Sequence, residues 1–306
     1  MISKIILAGG AGFLGTSLIE KYNNGNTEII VLTRKKDCKK NNISYINWDG
    51  CTTGKWVKEL EHSDAVVNLT GKSVNCRYTA KNKNEIIVSR VNATLAIGKA
   101  INQLQHPPKV WINAGSAAIF GNSGDEIKTE SSLPGSGFSP EVCKQWEASF
   151  NSIDTPGTRK VFLRIGVVLQ KNKGLLKPFI RLARVGLGGA IGSGEQYISW
   201  IHEKDFTNVA DAVINCNDIE GIVHCSSPCP VKNNQFMKAL RKACNIKIGL
   251  PAPAFITKPG AFLIGTEAAL VLTGRRVLPK VLEERGFIFQ YPRIEQAMED
   301  LIVNKN

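Results

Sequence analysis

The feature that most restricts what this chain can fold into is a glycine-rich turn at residues 9–15, GGAGFLG. It follows a continuous apolar run from Lys4 to Ala8, which is typical of a strand buried on both faces. A helix is predicted to begin at Phe13 and to extend to Tyr22. A G-x-G-x-x-G spacing between a buried strand and a helix is the fingerprint of a dinucleotide-binding βαβ unit. The sequence therefore predicts a dinucleotide site, with a plain glycine turn as the alternative.

Each glycine of this turn has a predicted physical role. Gly9 and Gly10 allow the sharp turn out of the strand, and Gly12 leaves room for a pyrophosphate to approach the backbone. Gly15 lets the helix pack closely on the strand. Free N–H groups at the start of the helix then point at the phosphates. The predicted cofactor contacts in this turn are Gly9, Gly12, Phe13, Leu14 and Gly15.

The end of the second predicted strand, Glu28 to Thr33, indicates which dinucleotide binds. An NAD site usually carries a carboxylate about 20 residues after the turn, where it holds the ribose 2′-hydroxyl. Here Arg34 occupies that place, and a guanidinium can grip a 2′-phosphate with two parallel hydrogen bonds. NADP(H) is therefore favoured over NAD(H). The alternatives are a solvated basic loop, or Asp37 turning back to the ribose. The predicted contacts are Thr33, Arg34 and Lys35.

Two further strand ends extend the predicted site. Asp49 follows the third strand, Ser44 to Trp48, where it can accept a hydrogen bond from the adenine amino group. The fourth strand begins at Ala65, and the residues at its end are expected to run beside the adenosine ribose. Open α/β sheets bind ligands at the carboxyl ends of their strands, which is where these residues lie. The predicted contacts from the fourth strand are Leu69, Thr70 and Gly71.

The order of the predicted elements indicates an α/β fold. Strands alternate with helices as far as a sixth strand at residues 159–169, which predicts a Rossmann-like, doubly wound parallel sheet. We expect this dinucleotide-binding domain to span residues 1–170 and to receive a strand and a helix from about 198–227. Residues 171–197 and 228–306 are then expected to form a smaller mixed α/β lobe on the substrate side.

The charge of the chain bears on its ligand. The chain has 39 Lys and Arg against 26 Asp and Glu, a formal net charge of +13, but its basic residues are scattered. A nucleic-acid reader would carry a basic stripe on a recognisable module. No nucleic-acid partner is therefore expected, and a small anionic ligand is favoured. Arg181 or Arg184 can meet such an anion, unless both belong to a solvated helix face.

The cysteines and the hydropathy pattern bear on the compartment. The eight cysteines have irregular spacing and no CxxC pair, which favours free thiols in a reducing compartment over a disulfide framework. The longest mostly apolar run includes Glu267 and is too short for a membrane span. Glycines interrupt the apolar N-terminal segment, so no signal peptide is predicted. We therefore expect a cytoplasmic protein with no metal site and no membrane partner.

Together these motifs resemble the extended short-chain dehydrogenase/reductase superfamily. Within it, the chain is similar to an atypical branch of NAD-dependent epimerase/dehydratase-like proteins with a C-terminal domain of unknown function. The resemblance extends over essentially the whole chain, and its most specific parts are Gly186 to His202 and Leu278 to Pro292. It implies a bound NADP(H), a substrate cleft between two lobes, and a structural strand-to-helix corner at His202 and Asp205.

The chain departs from this superfamily at the catalytic residues. The superfamily's reductases use a Ser, then a Tyr and a Lys four residues apart on one helix, and the lysine lowers the pKa of the tyrosine. Ser116 matches the serine. Glu147 resembles the glutamate that follows the lysine, which puts Ser139 at the tyrosine position and Cys143 at the lysine position. A shift by one residue does not restore the pair, so the usual proton donor is missing.

Several side chains are candidates for contacts with the reacting atoms or the substrate. Ser116 is expected to hydrogen-bond a substrate oxygen, or else to cap the turn after its strand. Tyr78 can supply a phenol from the loop after the fourth strand, and a surface tyrosine is the alternative. Cys143 is either a redox-sensitive thiol near the nicotinamide or a buried helix residue. Gln196 and Trp200 follow a glycine-rich loop and are expected on the substrate side.

Two functions fit these expectations. The first is an NADP(H)-dependent oxidoreductase or epimerase-like enzyme acting on a small polar substrate, such as a sugar- or nucleotide-linked molecule. The second is a non-catalytic NADP(H)-binding redox sensor or regulator, which would explain Ser139 and Cys143 directly. A monomer and a homodimer are both compatible with the sequence, since relatives pair through helices that correspond here to residues 83–104 and 141–150.

Overall fold

The structure, a computed structural model, describes residues 2–263 and 267–303. Residues 264–266 and 304–306 of the predicted second lobe lie outside that part of the chain. The strands are β1 (Lys4–Ala8), β2 (Glu28–Thr33), β3 (Cys38–Lys40), β4 (Ile43–Asn47), β5 (Ala65–Asn68), β6 (Val110–Ser116), β7 (Ile127–Lys128), β8 (Arg159–Ile165), β9 (Val167–Leu169), β10 (Tyr197–Ile198), β11 (Trp200–His202), β12 (Gly221–Cys225), β13 (Val231–Lys232) and β14 (Arg276–Val277). The α-helices are α1 (Phe13–Tyr22), α2 (Ala80–Ile101), α3 (Phe138–Asn151), α4 (Leu176–Arg184), α5 (Glu203–Asn215), α6 (Asn233–Ala243), α7 (Ala254–Leu263), α8 (Ala269–Leu272), α9 (Lys280–Glu284) and α10 (Ile294–Met298).

The central element is an eight-stranded sheet with the strand order β3-β4-β2-β1-β5-β6-β8-β12. Neighbouring strands are parallel except for β3 and β4, which are antiparallel. The sheet grows outward in both directions from β1, as in a doubly wound Rossmann-like fold. The predicted fold class is therefore confirmed. The edge strand β3 was not predicted, because all three of its residues are exposed and they show no apolar alternation.

The predicted sixth strand is in fact two strands, separated at Gly166. β8 ends in the main sheet, whereas β9 pairs with β11 outside it. A side chain at Gly166 would place its Cβ 2.8 Å from the carbonyl oxygen of Ser199, so the crossing requires glycine. The chain therefore leaves the sheet at Gly166 and enters a second lobe there.

A second apolar core lies beyond Gly166, apart from the core of the sheet. Its buried members include Phe179, Trp200 and Phe236. The C-terminal segment returns to the first domain, because β14 pairs with β7 and Leu282 packs into the core of the sheet. The predicted domain boundaries stay a prediction, but part of segment 228–306 packs against the large domain.

Other features of the described residues bear on compartment and metals. All eight cysteines are unpaired thiols. In the described ranges, no group of three or more His, Cys, Asp or Glu side chains is placed to hold a metal ion. Within the same residues, no helix combines the length and the apolar character needed to cross a membrane.

Candidate functional site

The glycine-rich turn forms a tight cradle between β1 and α1. Gly9 has φ +72°, and its backbone lies against that of Thr70, where a Cβ would approach to 3.1 Å. A Cβ on Gly15 would overlap the carbonyl oxygen of Gly10, so this residue sets how closely the helix approaches the strand. Both positions therefore require glycine, for conformation at Gly9 and for space at Gly15.

The N-terminus of α1 opens toward this cradle. Gly12 is its N-cap and offers no side chain to the first-turn N–H groups, which include those of Phe13 and Leu14. Such N–H groups and the positive end of the helix dipole favour a phosphate. Phe13 packs against Gly174, where a Cβ would lie 2.6 Å from its ring, so the second lobe borders the turn.

The loop after β2 exposes its basic side chains. Arg34 and Lys35 are both exposed, and among the described residues neither has a carboxylate within 4 Å. Asp37 accepts a hydrogen bond from the backbone N–H of Asn47 at 2.5 Å, and the Asn47 amide donates to the Lys35 carbonyl at 3.0 Å. The Asp37 carboxylate is therefore held on β4, while the Arg34 guanidinium remains available to an anion. Thr33 is half-buried at the base of this loop.

Asp49 lies at the end of β4, as predicted, but its carboxylate already has partners. It accepts from the Thr52 hydroxyl at 2.6 Å and from the N–H groups of Cys51 and Thr52 at 2.8 and 2.9 Å. The hydrogen bond from the Thr52 hydroxyl is the largest influence and holds the pKa of Asp49 well below its usual range. Asp49 thus shapes its own loop, and its adenine contact stays a prediction.

The loop after β5 supplies a polar atom that lacks a partner among the described residues. The backbone N–H of Leu69 donates to the Ala8 carbonyl and so fixes the loop to β1. The hydroxyl of Thr70 is buried, and no described residue hydrogen-bonds it. Gly71, the third predicted contact here, is exposed. A buried hydroxyl without a partner is costly unless a ligand satisfies it. Thr70 and the glycine cradle therefore fit a dinucleotide in this place.

Ser116 ends β6 and begins a 3₁₀ turn. Its hydroxyl accepts from the N–H of Ala118 at 3.1 Å, which is the capping arrangement considered from the sequence. The same residue lines a cavity of about 130 Å³ between the large domain and the second lobe. Because the capping bond uses only one lone pair, the hydroxyl can also donate to a group in the cavity.

Tyr78 and Ser139 face each other across the start of α3. The Tyr78 ring contacts Phe138 edge-on, with ring centroids 4.8 Å apart, and its backbone N–H donates to Glu267. Its hydroxyl is buried and makes no hydrogen bond of normal geometry with a described residue. Burial raises the pKa of Tyr78, although the nearby Ser139 side chain acts in the opposite direction. A phenol from another loop thus approaches Ser139, the residue that the family resemblance puts at the tyrosine position.

Cys143, the residue at the lysine position, is buried and uncharged at neutral pH. Burial is the main reason that its pKa is raised to about 12, and the Glu147 carboxylate adds to the effect. The guanidinium groups of Arg90 and Arg275 act in the opposite direction. The thiol therefore resembles the buried helix cysteine considered from the sequence more than a reactive thiolate.

Two half-buried arginines, Arg90 and Arg275, bring positive charge to this region, and sequence reasoning did not identify either. Arg90 donates to the carbonyls of Lys72 and Ile86 at 3.0 and 2.9 Å, and its Cζ lies 5.1 Å from the centroid of the Trp146 ring. Arg275 lines the cavity beside Ser116. Neither has a carboxylate within 4 Å among the described residues. No local pattern could have revealed them, because an isolated arginine has no spacing to recognise.

The two residues expected on the substrate side have structural contacts instead. The prediction for Trp200 is wrong, because this side chain is fully buried in the second core and its indole N–H donates to the Cys229 carbonyl at 3.1 Å. Gln196 donates to the carbonyls of Ile191 and Val271 at 2.8 and 3.0 Å. Its neighbour Tyr197 lines the cavity.

Other predicted charged positions have structural roles. Glu147 forms a buried bidentate pair with Arg164, at 2.8 and 2.9 Å. His202 caps α5 by accepting from the N–H of Lys204, and Asp205 accepts from the backbone at residues 290 and 291. The strand-to-helix corner is therefore a docking point for the C-terminal segment. Arg181 and Arg184 lie on the exposed face of α4, away from the cavity.

Sequence profiles of known families match most of the chain. That of the NAD dependent epimerase/dehydratase family matches residues 5–226. The chain belongs to the NAD dependent epimerase/dehydratase family. A profile of a domain of unknown function, DUF1731, matches residues 252–301. The family assignment agrees with the resemblance seen in the sequence, including the uncharacterised C-terminal domain.

Two relatives align along nearly the full chain. The epimerase family protein YfhF of Bacillus subtilis is 32% identical over 305 residues, covering 98% of both chains. The chloroplastic epimerase family protein SDR39U1 homolog of Arabidopsis thaliana is 30% identical over 303 residues, covering 97% of this chain and 86% of its own.

Solved structures show the same fold. The human epimerase family protein SDR39U1, crystallised with NADPH, superposes with a TM-score of 0.87 at 26% identity, covering 98% of this chain and 99% of its own. A nucleoside-diphosphate sugar epimerase from Corynebacterium glutamicum gives a TM-score of 0.79 at 26% identity, covering 99% of this chain and 58% of its own. The chain thus has the NAD(P)-binding fold of its family.

Proposed function

We propose that the protein is an NADP(H)-dependent oxidoreductase or epimerase-like enzyme acting on a small polar substrate, sugar- or nucleotide-linked. The observation that carries the proposal is the cradle at residues 9–15, which admits no side chain at Gly9 or Gly15 and lies beside the unpartnered Thr70 hydroxyl. Backbone N–H groups of Phe13 and Leu14 would hold the diphosphate.

The preference for NADP(H) over NAD(H) rests on Arg34. This guanidinium is exposed at the end of β2, where the ribose 2′-position of a bound dinucleotide would lie. The Asp37 carboxylate is occupied by the Asn47 backbone and does not take the place of the ribose-binding acid. The human relative's structure with NADPH supports the same choice. Thr33 and Lys35 would complete the phosphate site, and Asp49 with Leu69, Thr70 and Gly71 would bound the adenosine.

The reacting end of the site uses residues from separate segments. When bound, NADPH supplies a hydride to the substrate carbon. Ser116 hydrogen-bonds the substrate oxygen, and Tyr78, whose pKa is raised by burial, remains a protonated phenol that can donate to that oxygen. Arg90 and Arg275 provide the positive charge that Cys143 lacks. In this proposal, guanidinium groups supply the positive charge that the superfamily's reductases obtain from the ammonium group of a lysine.

A second candidate function is a non-catalytic NADP(H)-binding redox sensor or regulator. It is favoured by the neutral, buried thiol at Cys143, since no ammonium group lies at that position to activate a phenol. In either function we expect a small-molecule ligand and a monomer or homodimer. We place the protein in the cytoplasm, because a reducing compartment keeps all eight thiols unpaired.

The cofactor preference is tested with an Arg34→Ala variant. We expect the affinity for NADPH to fall about ten- to a hundredfold, the value of one charge-assisted bidentate contact, with the affinity for NADH unchanged. Titration calorimetry with both coenzymes measures this, and Lys36→Ala in the same exposed loop is the matched control. An equal loss for NADPH and NADH would overturn the assignment of the 2′-phosphate site.

Turnover is tested separately with a panel of sugar and carbonyl compounds, followed at the absorbance of the reduced nicotinamide. Substrate-dependent oxidation of NADPH that is lost in Ser116→Ala favours the enzyme. Tight NADPH binding with neither NADPH oxidation nor epimerisation of any panel member favours the sensor.

A further inference from the structure

The cavity beside Ser116 has apolar walls and a single charge. Ile165, Leu175, Phe179 and Leu270 contribute apolar surface, and the polar groups include the side chains of Tyr197 and Thr273. Among the described residues that line it, Arg275 is the only charged one. A space of about 130 Å³ accommodates a group of a few heavy atoms and is too small for a nucleoside diphosphate.

Arg275 is half-buried and lacks a carboxylate partner among the described residues. Its Nη2 donates to the Thr273 hydroxyl at 3.0 Å, and no carboxylate lies within 4 Å of it among residues 2–263 and 267–303. Burial lowers its pKa, but a guanidinium stays protonated in proteins. A buried charge without a counter-ion is unfavourable, and a bound anion removes that cost.

The position of Arg275 indicates where a bound anion would lie relative to Ser116 and Cys143. Its charge acts on the Cys143 thiol, and it shares a cavity with Ser116. Arg90, also half-buried, donates from Nη1 to the Lys72 and Ile86 carbonyls and stacks on Trp146, and it does not line the cavity. One available guanidinium balances one negative charge, and its planar fork fits a carboxylate in two parallel hydrogen bonds.

We infer that the cavity binds a carboxylate of the substrate next to the carbon that faces Ser116, with Arg275 as the residue that selects it. The inference rests on the proposed function for the location of the reacting carbon. It narrows the substrate to carboxylated alcohols or carbonyl compounds, such as a hydroxy acid or a uronic acid. Neutral sugars of the same size would leave the guanidinium unpaired and are rejected.

The test compares carboxylates with amides of the same size. Protein saturated with NADP⁺ is titrated by calorimetry with glucuronate and glucuronamide, and with lactate and lactamide, at constant ionic strength. We expect at least one carboxylate to bind ten times more tightly than its amide or better. Arg275→Gln should abolish the preference, and Arg276→Gln should retain it, because Arg276 lies over the Tyr197 ring at 5.2 Å and does not line the cavity.

Each result decides the inference. Equal binding of both members of every pair, no binding of any carboxylate to the wild type, or an unchanged preference in Arg275→Gln would overturn it. Arg275→Lys covers the case in which the glutamine variant fails to fold, and should keep a reduced preference because the ammonium is a point charge. NADPH affinity, measured without carboxylate, should be equal in the wild type and in the control Arg276→Gln. If the wild type did not bind NADPH, that result would refute the proposed function and not the carboxylate site.

Discussion

The proposed cofactor end and the proposed reacting end of this site are built in different ways. The cofactor end is a strand, a turn and a helix that are contiguous at residues 4–22, and glycines shape it by leaving space. The proposed reacting end draws on Tyr78, Ser116, Cys143 and Arg275, which lie on four separate segments; Ser116 and Arg275 line one cavity, and Arg275 acts on the Cys143 thiol. Contiguous sites can be recognised from spacing, whereas dispersed ones depend on the whole fold.

The two ends also differ in what holds them together. β1 is apolar and almost fully buried, and the cradle has no titratable side chain of its own. The C-terminal segment, in contrast, docks through buried polar groups. His224 donates from Nδ1 to the Leu278 carbonyl at 2.9 Å, and Glu130 accepts from the N–H groups of His224 and Val281. We therefore expect pH to affect the docking of the C-terminal segment and to leave the glycine cradle unchanged.

The largest expected effect is a loss of stability in acid, caused by His202 and His224. Burial is the main reason that the pKa of each is lowered from 6.5 to about 4. Their neutral forms stabilise the fold fully above pH 6.5, and the unfolded chain takes up protons first as the pH falls toward 4. The free energy of unfolding should therefore drop by roughly 3 kcal/mol per histidine over that window. Urea unfolding at several pH values measures it.

Variants identify the responsible residues. His224→Asn keeps a donor for the Leu278 carbonyl without the titration, so its profile should be flatter below pH 6.5. His106→Gln, on the exposed surface, is the control and should leave the profile unchanged. The raised pKa of Glu130 acts in the opposite direction, because its carboxyl takes up a proton in the folded state first as the pH falls toward 4.5, so it offsets part of the loss. A flat wild-type profile would show that these histidines do not govern docking.

A smaller effect is expected at the cofactor end from Gly15→Ala. The added Cβ would overlap the Gly10 backbone, which cannot rotate away as a side chain can. We expect a loss of about 3 kcal/mol in the free energy of unfolding and a matching loss of NADPH affinity, without a new pH dependence. Gly54→Ala is the control, because its Cβ would make only ordinary contact with Trp56 at 3.7 Å. Full NADPH binding by Gly15→Ala would contradict the role of the cradle.

The smallest effect on stability is expected from Tyr78→Phe, at the reacting end. Its hydroxyl is buried without a hydrogen-bond partner among the described residues, so its removal should not lower the melting temperature and should leave NADPH affinity unchanged. Turnover of the best panel substrate should fall about a hundredfold if the phenol is the proton donor. Tyr45→Phe, on β4, is the matched control. Unchanged turnover in Tyr78→Phe would show that another group is the proton donor.

Tertiary packing accounts for the predictions that were wrong or incomplete. Trp200 follows a glycine-rich loop, as a substrate-lining residue can, but β11 turns its side chain into the second core. The strand predicted at 159–169 has continuous apolar character, and the break at Gly166 depends on the Ser199 backbone that crosses there. The residues of the second core are too far in sequence from Trp200, and Ser199 is too far from Gly166, to leave a local pattern.

The sequence by itself determined the sheet and the glycine cradle, and it favoured a basic 2′-phosphate site. These depend on backbone conformation and on periodic burial, which neighbouring residues specify. Only the tertiary structure brought the Tyr78 side chain near Ser139 and placed Arg275 in the lining of the cavity beside Ser116. The physical reason is that such side chains acquire their environment from segments far along the chain, so their burial, charge balance and missing partners exist only after folding.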